Sequence, residues 1–165
     1  MVTSRVRDSG PTGRLSDAEL AWIRRVTPIT ETYCQIVRTK DYRGKKLACW
    51  MHITGGSIPM LLALVESGAE IVVGARNTES TDDAAATYLA EHGVTMLAWR
   101  GMPRSSYDEH KTMVRAFDAD YLCDMGGELS AAYLDRMPPV KGALEATSSG
   151  LNLLRGQSIP FPVFD

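Results

Sequence analysis

The sequence predicts an α/β fold: a single doubly wound parallel sheet of about five strands with helices on both faces. Three observations predict it. Short apolar runs of strand type recur at 46–51, 70–74, 94–99, 120–124 and 140–144. A helix-type segment follows each run, so strands recur at intervals of roughly 25 residues, long enough for a crossover between parallel strands. Gly68 and Gly93 stand just past two of these helical segments, where a chain leaves the helix through a left-handed residue before the next strand.

The elements follow in order. Residues 17–40 read as helix, with Ser16 as N-cap and Glu19 three residues on. Pro28 divides that run into two shorter helices, because it lacks an N–H and its ring collides with the preceding turn. Asp41 to Gly44 is a turn. The strand at 46–51 is followed by a helix at 58–67, and the strand at 70–74 by a helix at 82–92. The strand at 94–99 is followed by a helix at 105–117. The strand at 120–124 runs through Gly126-Gly127 into a helix at 129–136. A short strand at 140–144 precedes a helix at 148–154. Right-handed crossovers place these helices on both faces of the sheet, in a Rossmann-like arrangement. Residues 1–14 read as a flexible lead-in, 15–158 as the domain, and 159–165 as an extended tail. Pro160 and Pro162 bar that tail from a central strand position.

Composition narrows the function classes. With 165 residues the chain makes one domain and buries roughly 70% of its unfolded surface, so it needs no disulfide or metal staple. Eighteen Lys and Arg against 20 Asp and Glu give a net charge of −2, which offers nucleic acid or an anionic membrane no attraction. No apolar run approaches the roughly 20 residues of a membrane span, and 1–14 lacks the apolar core of a signal peptide. A cytoplasmic location is expected. Cys34, Cys49 and Cys123 have neither CxxC nor metal-site spacing and read as small buried residues.

The strand C-termini of such a sheet share one rim, where ligands bind. They bring together His52 and Thr54; Arg76, Asn77, Glu79, Ser80, Thr81, Asp82 and Asp83; Asp124 and Glu128; and Glu145, Thr147, Ser148 and Ser149. One imidazole among carboxylates and hydroxyls suits a polyhydroxylated small molecule such as a nucleoside. Part of this list has a purely local use: Ser80 to Asp83 is a helix-capping sequence, and acids suit a first helical turn. His92 and His110 read as surface residues. No HxxxH or HExxH pattern supports a metal, and no GxGxxG, GxxxxGK[ST] or GxSxG occurs. Neither metal nor cofactor is expected.

Several ordered segments resemble one family. Ala48-Cys49-Trp50-Met51-His52-Ile53-Thr54 is similar to a strand ending Leu-His-Met-Thr. Arg76-Asn77-Thr78-Glu79-Ser80-Thr81-Asp82-Asp83 resembles Cys-Asn-x-x-Ser-Thr-Gln-Asp. Residues 94–101 resemble Ile-Pro-Val-x-Ala-Trp-Lys-Gly, Asp124-Met125-Gly126-Gly127-Glu128-Leu129 resembles Asp-Asp-Gly-Gly-Asp-Leu, and 141–150 resembles Gly-x-x-Glu-Glu-Thr-Thr-Thr-Gly. From 44 to 150 the sequence therefore resembles the N-terminal, substrate-binding part of S-adenosyl-L-homocysteine hydrolase.

The resemblance implies a nucleoside pocket and, in the family, oxidation of the ribose 3′-hydroxyl by NAD held in a following domain. The departures from it fall on the chemistry. Met125 stands where the family has the second aspartate of its pair, near the reacting sugar, and Ala146 where it has a second glutamate. Gly56 aligns with a glutamate that contacts the adenine amino group. The family's lysine and NAD domain align beyond Asp165. Neither methionine nor alanine can take a proton.

The expectation is a repurposed, non-redox enzyme on an adenosine-type, S-adenosyl-type or other small polar ligand, acting by elimination, hydration, cyclisation or hydrolysis. His52, Asp124 and Glu145 are its candidate catalytic residues. Thr54, Asn77, Ser80, Thr81, Asp82, Asp83, Glu128 and Thr147 are its candidate ligand contacts. The alternative is a non-catalytic nucleoside-binding protein or subunit; a split hydrolase completed by a separate chain is a third possibility. A homo-oligomer is expected, with the apolar tail as one contact.

Overall fold

The computed structural model describes residues 13–165. Most of the lead-in expected at 1–14 lies outside them. The strands are β1 (Lys46–Met51), β2 (Glu70–Ala75), β3 (Thr95–Leu97), β4 (Tyr121–Asp124), β5 (Gly142–Glu145) and β6 (Val163–Phe164). The helices are α1 (Asp17–Val26), α2 (Pro28–Arg38), α3 (Ile58–Glu66), α4 (Asp83–Glu91), α5 (Arg104–Ala116), α6 (Glu128–Ala132) and α7 (Ser148–Leu154). All strand pairs are parallel, in the order β3-β2-β1-β4-β5-β6. Strand order reverses between β1 and β4, which is the switch point where such sheets open a crevice.

Local chemistry sets the helix ends. Ser16 and Glu19 form a reciprocal capping box at α1, and Pro28 occupies the first turn of α2, where no N–H is required. Asp82, rather than Ser80 or Thr81, caps α4, accepting from the N–H groups of Ala84 (2.9 Å) and Ala85 (3.2 Å). A 3-10 turn at Gly55–Ser57 precedes α3.

The strands alternate two apolar sets. Cys49, Met51, Ile71 and Val73 face one layer with Leu61 and Leu89 of α3 and α4. Ala48, Trp50, Val72 and Leu122 face the other with Val114 and Tyr133 from the α5–α6 side. Each fully buried aliphatic side chain contributes about 1.5–3 kcal/mol, so both faces of the sheet have to be covered. Cys34, Cys49 and Cys123 are free and buried.

Three expectations need correction. The sheet has a sixth strand: part of the tail pairs with β5 through Ala143↔Val163 and Leu144↔Phe164. The edge position reconciles this with the prolines, since Pro162 needs only its carbonyl, which accepts from Ala143 N–H at 2.9 Å. The helix expected at 129–136 ends at Ala132. His110 is half-buried rather than on the surface, with Nδ1 3.1 Å from the Leu97 carbonyl oxygen and its ring edge-on to Trp99.

Among the described residues, several large apolar side chains stay exposed. Trp22, Val26, Ile29, Tyr33 and Ile36 are exposed along α1 and α2. No helix among the described residues is long and apolar enough to cross a membrane.

Candidate functional site

A cleft of about 550 Å³ opens over the C-terminal ends of β1, β2, β4 and β5. Each strand end delivers part of its wall. His52 follows β1, Arg76 to Thr78 follow β2, Met125 and Gly126 follow β4, and Thr147 and Ser149 follow β5. Met102, Arg104 and Tyr107 close the remaining side from the β3–α5 loop and the start of α5. Backbone bonds tie the strand ends together: Arg76 N–H donates to Met51 O, Met125 N–H to Trp50 O, and Ala146 N–H to Asp124 O.

His52 is exposed in this cleft, its Nδ1 2.6 Å from Ser80 Oγ. The hydroxyl of Ser80 donates to the Asn77 carbonyl at 3.1 Å. With its single proton used there, Ser80 accepts from the imidazole. In that arrangement Nδ1 carries the ring proton; with the Ser80 proton turned to Nδ1, the shorter contact, the tautomer reverses. Asn77 Oδ1 in turn accepts from Glu79 N–H at 2.9 Å, which fixes the turn.

Glu145 is fully buried and absent from the cleft wall. Its Oε1 accepts from Gly126 N–H (3.0 Å), Thr147 N–H (2.8 Å) and Thr147 Oγ1 (2.6 Å), and its Oε2 from Gly127 N–H (2.7 Å). The carboxylate thus binds the β4–α6 turn to the start of α7. That turn needs its glycines. At Gly126 (φ +108°) a Cβ would meet Arg76 Nε at 2.6 Å, and at Gly127 (φ +75°) it would meet Gly150 O at 2.8 Å. Asp124 is fully buried too, with Oδ2 accepting from Ser130 N–H at 2.7 Å. Among the described residues its Oδ1 has no hydrogen-bond partner. Burial pushes the Asp124 carboxyl up to about 6, with nearby Glu145 adding to the rise and the Ser130 hydrogen bonds opposing it.

The sequence-predicted residues sort accordingly. His52, Asn77 and Thr147 meet at the cleft wall, and Ser80 stands directly behind His52. Asp124 and Glu145, expected as partners of His52, are turned into the protein and hold backbone instead. Thr54 is exposed but off the cleft wall. Thr81 is buried and bonds the Asn77 carbonyl, Asp82 caps α4, and Asp83 accepts from Arg100 N–H at 2.9 Å. Glu128 lies between two cations, accepting from Lys111 Nζ and standing 3.5 Å from Arg76. Partial burial would raise its carboxyl, but the Lys111 hydrogen bond and charge, with Arg76, hold it below the usual range.

Sequence reasoning passed over Met102, Arg104 and Tyr107 as site residues. The available signal was the rim rule itself. The segment after β3 belongs to the same rim as the segments after the other strands. Tyr107 also stacks edge-on against buried Trp50, with ring centroids 5.4 Å apart.

The arrangement is an α/β Rossmann-like domain with a polar cleft at its switch point and one imidazole on the cleft wall. Comparison places that domain in a family. The family model described as S-adenosyl-L-homocysteine hydrolase matches residues 20–150, and the chain belongs to that family. An adenosylhomocysteinase of Aquifex aeolicus is 30% identical over 135 residues, covering 76% of this chain and 32% of that protein. One from Sulfurisphaera tokodaii is 28% identical over 123 residues, covering 73% and 30%. An S-inosyl-L-homocysteine hydrolase of Methanothermobacter thermautotrophicus is 26% identical over 156 residues, covering 89% and 37%. The chain thus spans about a third of the length of these relatives.

The family resemblance implies NAD held by a domain that follows the matched residues; the β1 turn of the domain described here is not shaped as a dinucleotide site. The turn after β1, where a Rossmann pyrophosphate would approach the backbone, is packed under α1. A Cβ built on Gly55 would lie 2.9 Å from Ile23 Cδ1.

Proposed function

We propose that the cleft binds a small nucleoside-type ligand and that His52 is the group that handles its proton, in a non-redox elimination, hydration, cyclisation or hydrolysis. The observation supporting this is the relay Asn77 carbonyl–Ser80–His52, which orients the imidazole through Nδ1. The hydroxyls of Thr147 and Ser149 and the amide of Asn77 supply neutral contacts suited to a ribose. Gly56, where the resemblance has an adenine-contacting glutamate, lies off the cleft wall, so the choice between adenine and hypoxanthine is open to test.

Calorimetric titration with adenosine, inosine and S-adenosylhomocysteine tests the reading. Binding of one of them below millimolar, lost in His52→Ala with the fold intact, supports it. No binding at millimolar concentration of any of them overturns it. The non-catalytic alternative has its own supporting observation. Asp124 and Glu145 are buried structural groups, so no carboxylate on the cleft wall partners His52. Binding without turnover of any of the three decides for that alternative.

Self-association is part of the same proposal. Trp22, Val26, Ile29, Tyr33 and Ile36 form an exposed apolar stripe. Both helices run from acid to base, from Asp17 and Glu19 to Arg24 and Arg25, and from Glu31 to Arg38. A two-fold partner of the same sequence would set acid against base while covering the stripe. Light scattering should show a dimer that Ile29→Glu dissociates; a monomer at every concentration refutes it.

A further inference from the structure

The charge on the cleft wall is one-sided. Arg76 and Arg104 line it, and among the described residues no Asp or Glu does. Tyr107 stands among three cations: Arg104 Cζ is 5.4 Å and Lys111 Nζ 6.0 Å from its ring centroid, and Arg76 acts on its hydroxyl. Two carboxylates answer these three charges. Glu128 is shared between Arg76 and Lys111. Asp108 meets Arg104 at 2.9 Å, but that pair is solvated, with side-chain exposures of 82% and 52%. Exposed pairs of this kind exchange readily for a better partner. The carboxylates of Asp124 and Glu145 are spent on backbone N–H groups.

Arg76 packs over Gly126, its Nε 2.6 Å from where a Cβ would stand, and its Nη1 lies 3.5 Å from Glu128. Its planar fork suits bidentate contact with a planar or tetrahedral oxyanion.

From these charges the geometry points to an oxyanion subsite in the cleft: the ligand carries a phosphate or carboxylate that docks between Arg76 and Arg104, with its remainder reaching towards His52. The inference rests on the ligand-binding reading above and specifies the ligand's charge.

Titrations with adenosine, adenosine 5′-monophosphate, S-adenosylhomocysteine and inorganic phosphate test it. A charge-assisted pair predicts at least about tenfold tighter binding of an oxyanion-bearing nucleoside than of adenosine. Arg76→Gln should remove that preference, while Arg76→Lys restores only part of it. Arg104→Gln gives a second test at an exposed side chain whose loss leaves the fold intact. A gain for the monophosphate alone identifies phosphate; a gain for S-adenosylhomocysteine alone identifies carboxylate. Equal affinity for charged and neutral nucleosides overturns the inference and leaves the nucleoside reading standing. Phosphate binding lost in Arg76→Gln, with no nucleoside bound, supports the subsite and sinks the nucleoside reading. Absence of all binding overturns both.

Discussion

Asp124→Asn isolates the energetic consequence of burying a carboxyl at the end of β4. The folded protein raises this group from 3.8 to about 6 because it is fully buried. The native state therefore binds the proton more tightly than the unfolded chain. Stability from this group is fully present below about pH 4 and is lost as pH rises through about 6. A rise of about two units corresponds to about 3 kcal/mol. Asparagine removes the titration, keeps an oxygen for the Ser130 N–H, and adds an N–H on the side where Oδ1 has no partner. Urea unfolding of both proteins across this range is the assay. Asp120, held below the usual range chiefly by its hydrogen bond from Lys141, and Glu128, held down by Lys111 against partial burial, titrate in the opposite sense. Both are present in wild type and variant, so they cancel in the difference. The variant should gain up to about 3 kcal/mol relative to wild type between about pH 4 and pH 7.5. Stability curves that run parallel across that window would refute the assignment of a raised carboxyl to Asp124.

Other perturbations test the frame around the cleft. Glu145→Gln swaps one acceptor oxygen for an NH₂ that must face backbone donors, so it should cost about 3 kcal/mol and lower the melting temperature by about 6–12 °C; unchanged melting removes Glu145 as the clamp. Gly150→Ala places a Cβ 2.1 Å from Glu145 Cδ, and overpacking of this kind should cost about 3 kcal/mol or more by chemical denaturation. Ser80→Ala removes the partner of His52 Nδ1, so nitrogen NMR of the ring should show the variant's tautomer balance shifted from that of wild type. Tyr133→Phe deletes a buried hydroxyl bonded to the Phe117 carbonyl at 2.7 Å and should cost about 1 kcal/mol in thermal or chemical melts.

Much of the fold can be read from the chain because its signals are local and agree. The Ser16–Glu19 capping box, Pro28 at the head of α2, and Thr147 ahead of α7 each mark a boundary through their own short-range chemistry. The sixth strand was hidden because Val163–Phe164 is too short and too Pro-flanked to read as a strand without the β5 edge beside it. The site was legible in location and only partly in membership. The switch point brought His52, Asn77 and Thr147 together as the strand rule requires. Which carboxylates face the cleft depends on side-chain direction at the strand ends, which no motif states.

That direction follows from β geometry, and it changes what the retained acids mean. Successive residues of a strand point to opposite faces, so paired acids at a strand end divide between interior and cleft. Here Asp124 is buried and Met125 lines the cleft; Glu145 is buried and Ala146 is exposed. The resemblance aligns these pairs with Asp-Asp and Glu-Glu. Only the first member of each survives, and in both cases it is the one engaged with backbone N–H groups. A buried acceptor of that kind is costly to lose whatever the domain binds. Persistence of Asp124 and Glu145 is therefore evidence for the turn they hold and says nothing of chemistry. The informative positions are the outward ones, Met125 on the cleft wall and the exposed Ala146 off it, where the resemblance has acids; Arg76 adds a positive charge to the wall. A wall that carries Arg76 and lacks those acids is what the proposed oxyanion subsite requires, and it is presented by strands and turns that the buried acids hold.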